Sequence, residues 1–172
     1  MPVDPAPAAA PASLRRRFAS LLYEALLLVA LVFVAGFALA PIVSPQGAAS
    51  HRIAIPTTAG RVVSFAALFA LGAAYFVFSW SAGRRTLPMK TWKLALVTLD
   101  GRPLDRRRAF GRYVAAWIGP ALALAAYVPL HPLGWGALAW PLLALGWIAA
   151  FVDRDRQFLH DRIAGTRLVF VR

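Results

Sequence analysis

Long stretches without charge dominate this chain and limit what it can fold into. Residues 18–40 contain one charged side chain, Glu24, and residues 62–82 contain none. Residues 113–152 form a block of 40 residues without Asp, Glu, Lys or Arg. A helix that crosses a bilayer needs about 20 apolar residues. The pattern, with only 15% charged residues overall, therefore indicates an integral membrane protein.

The block of 40 residues is predicted to form a helical hairpin. As one helix it would measure about 60 Å, twice the hydrocarbon thickness of roughly 30 Å. Residues 128–136 contain two prolines and two glycines, which break a helix. We predict an all-α membrane protein with four transmembrane helices, near residues 18–40, 62–82, 113–130 and 134–152.

The Lys and Arg residues predict the orientation of these helices. The N-terminal segment holds three, loop 41–61 two, loop 83–112 nine, the hairpin turn none and tail 153–172 five. By the positive-inside rule, both termini, loop 83–112 and the tail are expected in the cytoplasm. Residues 1–13 are rich in Pro and Ala and are expected to form a disordered leader. Residues 14–172 are then one membrane domain.

Two strand-like segments occur on the predicted cytoplasmic side, at residues 92–99 and 166–171. Because a lone strand leaves its backbone groups unpaired, we predict that they pair as a small two-stranded β-ribbon. Residues 105–112 are predicted to form an interfacial helix whose arginines lie near anionic lipid head groups. These lipid-facing residues are Arg106, Arg107, Arg108 and Arg112.

Glu24 is a carboxylate inside an apolar span, where an ionised group costs about 2.5–3.5 kcal/mol at the helix centre. Arg17 lies seven residues earlier, on the same helix face, and the two are expected to form a membrane-embedded ionisable pair. In a functional interpretation Glu24 is a proton or cation site. In a structural interpretation it binds a cytoplasmic arginine and locks the first helix to the loop or the tail.

The tail contains a second polar cluster, which is predicted to fix it to the domain. We expect Asp161 to pair with an arginine of loop 83–112. The chain has no cysteine and no Gly-x-Ser-x-Gly motif, and its three histidines are expected on opposite sides of the membrane. We therefore expect no enzyme, no cofactor and no metal site. The cluster consists of Asp153, His160, Asp161 and Arg162.

Three local patterns resemble the RDD family of small bacterial membrane proteins. The first, RRFASLLYE at residues 16–24, opens the first helix, and Arg17 and Glu24 match the family's arginine and aspartate. The second, RRTLPMKTWKL at residues 84–94, is similar to a family segment after the second helix but lacks its two glycines. The third, DRDRQFLHDRIAGT at residues 153–166, is similar to the family's closing motif.

The resemblance implies a helical domain of the bacterial inner membrane, and transport, including sodium–proton exchange, has been suggested for the family. We expect a non-enzymatic membrane module that binds anionic lipid or a cytoplasmic protein. The alternative is a small transporter or ion-coupled permeation unit that uses Glu24 and needs a homo-oligomer. Nucleic acid is not an expected partner, because the basic residues fall between apolar blocks and form no soluble basic domain.

Overall fold

A computed structural model describes residues 12–43, 57–153 and 156–171 of the chain. The predicted leader lies outside the described residues up to position 11. Ala12 belongs to the folded part, because it is buried and its N–H donates to the carbonyl oxygen of Leu168 at 3.1 Å.

The described residues are mostly helical, with one small sheet. The elements follow along the chain as α1 (Leu14–Val43), α2 (Thr58–Trp80), α3 (Leu87–Thr91), β1 (Leu94–Thr98), α4 (Arg106–Ala116), α5 (Ile118–Leu130), a 3₁₀ turn (His131–Leu133), a 3₁₀ segment (Gly136–Ala144), α6 (Leu145–Val152), α7 (Leu159–Ile163) and β2 (Thr166–Phe170).

Three helices of the described part are long and apolar enough to cross a membrane: Leu14–Ile42, Thr58–Trp80 and Arg106–Leu133. The predicted fourth span is the shorter apolar helix Gly136–Val152. Its first nine residues are 3₁₀, and Pro141 within them has no N–H for an α-helical bond. At a rise of about 2.0 Å per residue in the 3₁₀ part and 1.5 Å in α6, it extends about 30 Å. It can therefore match the hydrocarbon thickness.

The two strands form the predicted antiparallel ribbon. They pair from Leu94 opposite Phe170 to Thr98 opposite Thr166. Side chains of β1 alternate between buried and half-buried, as expected for a strand packed on one face. We call this end of the helices, which contains α3, both strands and α7, the ribbon end.

The ribbon constrains how often the chain crosses the bundle. Strand β1 precedes α4 and α5, and β2 follows α6, yet the two strands pair. The chain therefore leaves the ribbon end and returns to it between them, which requires an even number of crossings. The hydrogen bond between Ala12 and Leu168 brings the start of α1 to the same end. The hairpin interpretation of residues 113–152 agrees with this topology.

A cluster of buried apolar side chains lies at the ribbon end. The buried apolar side chains there come from α3, β1, the loop before α4, α7 and β2 and meet Trp80 and Tyr113 at the helix ends. They are Met89, Leu94, Leu96, Leu104, Phe158 and Leu168. By contrast, large apolar side chains along α1 beyond Glu24 are exposed, as suits a helix that faces lipid.

Candidate functional site

Arg17 anchors the beginning of α1 to the tail. Its side chain is buried, and Nε donates to the carbonyl oxygen of Ala12 at 2.9 Å. Nη1 donates to the carbonyl oxygen of Arg156 at 2.7 Å, and Nη2 to that of Leu168 at 3.4 Å. The planar guanidinium carries donors in a fixed fork, so one side chain can satisfy three carbonyl groups. Arg17 thus holds α1, β2 and the segment before α7 together.

Glu24 joins three elements through two hydroxyl groups. Its Oε1 accepts a hydrogen bond from Tyr75 Oη at 2.7 Å, and its Oε2 accepts one from Thr86 Oγ1 at 2.7 Å. Tyr75 lies on α2, and Thr86 is the N-cap of α3, where its hydroxyl also accepts from the N–H of Met89. Both carboxylate oxygens therefore have a donor. Glu24 therefore locks α1 to the loop, as the structural interpretation expected, and also to α2. Its partners are hydroxyl groups and not the arginine that this interpretation expected.

Arg17 and Glu24 do not bond directly. Among the described residues, no hydrogen bond or ion pair joins the two side chains, although both line the same cavity. Seven residues of helix separate them by about 10 Å along the axis, and carbonyl oxygens already occupy donors at all three guanidinium nitrogens. Arg17 and Glu24 therefore do not form the expected ionisable pair. Each makes its own set of hydrogen bonds, and both lie on one face of α1.

Arg112 and Asp161 form the buried ion pair of the site. Arg112 Nε lies 2.7 Å from Asp161 Oδ1, and both side chains are almost fully buried. The Cζ atom of Arg112 also lies 4.0 Å from the ring centroid of Trp80, a cation–π distance. The pair confirms that Asp161 binds an arginine of loop 83–112. It holds α4 against α7, and Thr166 beside it extends the contact to β2.

The lipid-facing position expected for Arg112 is wrong. Arg106, Arg107 and Arg108 are exposed, whereas Arg112 is 5% exposed. The reason is helical spacing: Arg112 shares a face with the buried residues Ala109 and Tyr113, three positions before it and one after. This face of α4 packs inward, and Asp161 compensates the positive charge of Arg112.

The other members of the predicted tail cluster make two separate contacts. His160 is buried beside Asp161, with its Nε2 3.9 Å from Asp161 Oδ1. Burial lowers the pKa of His160 to about 4, and the charge of Arg112 acts in the same direction, so the ring is neutral at pH 7. Asp153 instead forms an ion pair with the exposed Arg162, and its Oδ2 accepts the N–H of Gln157 at 3.0 Å.

A cavity of about 540 Å³ lies between the helices and meets this polar network. Arg17, Glu24, Arg112 and His160 contribute to its wall at the ribbon end. Elsewhere the wall is apolar and comes mainly from α1 and α2. Its side chains there include Leu28, Leu31, Val32, Phe65 and Leu68.

Tyr75 and Thr86 were not predicted from the sequence as the partners of Glu24. A carboxylate in apolar surroundings needs hydrogen-bond donors, and Tyr75 is the one tyrosine within α2. Thr86 lies inside the second family-like pattern, at the position that caps α3. Both signals were present, but pairing them with Glu24 required knowledge of how α1 packs against α2.

These features define a class: a small helical membrane protein whose buried polar network ties apolar helices to a two-stranded ribbon. The model of the RDD family matches residues 11–165, and the chain belongs to that family. The resemblance seen in the three sequence patterns is thereby confirmed. No match was found among curated proteins or among solved structures.

Proposed function

We propose that the protein is a non-enzymatic module of the bacterial inner membrane whose ribbon end faces the cytoplasm and binds anionic lipid. The proposal rests on one observation above all. Arg106, Arg107 and Arg108 are consecutive, exposed and located in the first turn of α4, which has no acidic residue.

Three positive charges in a first turn are unfavourable for the helix itself. The helix dipole puts partial positive charge at this end, and each added cation there opposes it by about 0.3–1 kcal/mol. Asp105 caps the helix by accepting the N–H of Arg108 at 2.8 Å. Among the described residues, the three guanidinium groups have no ion-pair partner, so they contribute little to the fold. Anionic groups outside the chain would offset their repulsion.

The position of these arginines favours lipid head groups as the binding partner. The apolar helix Arg106–Leu133 begins at the first of them, so they fall at the level where a span leaves the hydrocarbon. A basic residue near an anionic membrane surface contributes about 1 kcal/mol. Three neighbouring arginines could therefore enrich anionic lipid around the protein substantially.

A charge-conserving control tests this proposal. The parent, a variant with Arg106, Arg107 and Arg108 changed to Gln, and a variant with all three changed to Lys are reconstituted in vesicles of phosphatidylcholine and phosphatidylglycerol. We expect phosphatidylglycerol to be enriched in the lipid that copurifies with the parent and the Lys variant, and enrichment to fall sharply in the Gln variant. Salt of about 1 M, where the Debye length is about 3 Å, should reduce it as well. Unchanged enrichment in the Gln variant would refute lipid binding by this turn and favour a cytoplasmic protein as the partner.

Transport is a second candidate, and the position of Glu24 favours it. This carboxylate is 9% exposed and lines the cavity between the helices. Ionisable groups inside membrane spans often mark ion or substrate pathways. Sodium and proton flux into vesicles, compared between the parent and Glu24→Gln, tests this candidate. Flux lost in a variant that still folds supports transport, whereas no flux in either protein favours the module.

A further inference from the structure

The cavity between α1, α2 and α4–α5 has the size of a small-molecule site. Its volume of about 540 Å³ falls within the roughly 300–1,000 Å³ typical of ligand pockets. Most of its wall is aliphatic or aromatic, and the charged side chains lie at one end. A molecule that fills it would need an apolar body and a single polar head.

The charges at the polar end balance. Arg17 and Arg112 are two buried cations, and Glu24 and Asp161 are two buried carboxyl groups. Glu24 accepts hydrogen bonds at both oxygens, as an ionised carboxylate does. The neighbouring His160 is neutral at pH 7. A head group with net charge would leave one buried charge uncompensated, and such a charge is costly away from water.

The polar end also has unused hydrogen-bonding capacity of both kinds. A carboxylate offers about four lone-pair sites, and Glu24 uses two of them with Tyr75 and Thr86. Arg112 donates through Nε to Asp161, the one hydrogen bond from its side chain within the described residues. A hydroxyl or amide head group could donate a hydrogen bond to Glu24 and accept one from Arg112.

We propose that this cavity binds an uncharged, single-headed amphiphile, with its hydroxyl or amide head at Glu24 and Arg112 and its chain along the apolar wall of α1 and α2. The charge balance of the polar end distinguishes this ligand from a fatty acid, an amine or an anionic phospholipid. The site is separate from Arg106, Arg107 and Arg108, so its test is independent of anionic-lipid binding at the surface.

Photolabelling of the whole protein tests the proposal. The protein is reconstituted in phosphatidylcholine vesicles with a long-chain alcohol that carries a diazirine in its chain, and labelled positions are found by peptide mass spectrometry. We expect labelling to concentrate on cavity residues such as Leu28 and Leu68. Excess unlabelled alcohol should compete, whereas additional phosphatidylcholine should not.

Two substitutions and one matched control make the test more specific. Leu28→Trp fills part of the cavity and is expected to reduce cavity labelling about tenfold. Leu26→Trp on the same helix is the matched control, because Leu26 is 61% exposed and outside the cavity, and it should leave labelling unchanged. Glu24→Gln removes one negative charge and is expected to shift preference from the alcohol towards a carboxylate probe of equal chain length by about tenfold.

Three outcomes would overturn the proposal. Labelling spread over the exposed apolar face of α1, without competition, would mean that the probe reports bulk lipid contact only. Competition by phosphatidylcholine equal to that of the alcohol would make a bilayer phospholipid the occupant. Preference of the parent for the carboxylate probe, or for an amine probe of the same chain, would refute the argument from balanced charge.

Discussion

The charged side chains fall into two groups that differ in their surroundings. Arg17, Arg112 and Asp161 are buried and bonded to groups from distant parts of the chain. Arg106, Arg107 and Arg108 are exposed and have no ion-pair partner among the described residues. Removing one member of a buried pair leaves an uncompensated charge, whereas removing an exposed charge changes stability little. Substitutions in the first group should therefore affect folding, and those in the second should affect binding.

Asp161→Asn tests the buried pair. The substitution preserves size but leaves Arg112 buried without its counter-charge, and it is expected to lower the free energy of unfolding by about 3–5 kcal/mol. Denaturant unfolding in detergent micelles measures the change. Asp105→Asn is the matched control, since Asn caps a helix about as well as Asp does. Equal stability of the two variants would contradict the role of Asp161.

His160 should make stability depend on pH. Its pKa is lowered from 6.5 to about 4 in the folded protein, so between these values the unfolded state binds the proton and the folded state does not. Stability should therefore fall as pH drops from 6.5 to 4, by roughly 3 kcal/mol in total, because one pKa unit corresponds to about 1.36 kcal/mol. Unfolding measured at several pH values in the parent and in His160→Gln checks this. The same pH slope in both proteins would show that His160 is not its source.

At the scale of elements, the sequence predicts those that have a local pattern. The strand-like runs at residues 92–99 and 166–171 predicted both strands. Because a lone strand leaves its backbone groups unpaired, they also predicted that the two strands pair. The 3₁₀ geometry of Gly136–Ala144 was not predictable in the same way, because apolar residues with one proline suit an α-helix as well. The segment packs against α5, and contacts between residues distant in sequence cannot be read from a local pattern.

Gly119 is a point of close approach in this packing. A Cβ atom there would lie 2.9 Å from the carbonyl oxygen of Leu142 and 3.1 Å from that of Leu143. Backbone atoms cannot move aside as a flexible side chain can, so Gly119→Ala is expected to destabilise the protein by about 1–3 kcal/mol. Thermal unfolding of the purified protein measures the effect.

Gly111→Ala is the control for that substitution. Gly111 also lies in a helix, but a Cβ atom there meets nothing within 4 Å. Alanine has the better helix propensity, so this variant should be as stable as the parent or more stable by up to about 1 kcal/mol. A loss of stability at Gly111 equal to that at Gly119 would mean that close packing of α5 is not the cause.

For the whole molecule, the sequence predicted the membrane class and the pairing of Asp161. It misplaced Arg112, and it paired Arg17 with Glu24, although each of these two side chains has other partners. Arg112 follows three arginines that are exposed, and charge alone assigned it to the same surface. Its spacing from Ala109 and Tyr113 carried the contrary signal. The partners of Glu24 depended on the packing of α1 on α2, which no local pattern specifies. Long-range polar contacts were thus the part least accessible from sequence.

The proposed arrangement requires the ribbon end and the hairpin turn to lie on opposite sides of the membrane. The chain has no cysteine, so Asp100→Cys and His131→Cys, both at exposed positions, each provide a single thiol for a membrane-impermeant maleimide. We predict that in intact bacterial cells the thiol at position 131 reacts, and that the thiol at position 100 reacts only after the membrane is opened. Reaction of both thiols from the same side, or the reverse order, would contradict the proposed arrangement and the binding of cytoplasmic-leaflet lipid with it.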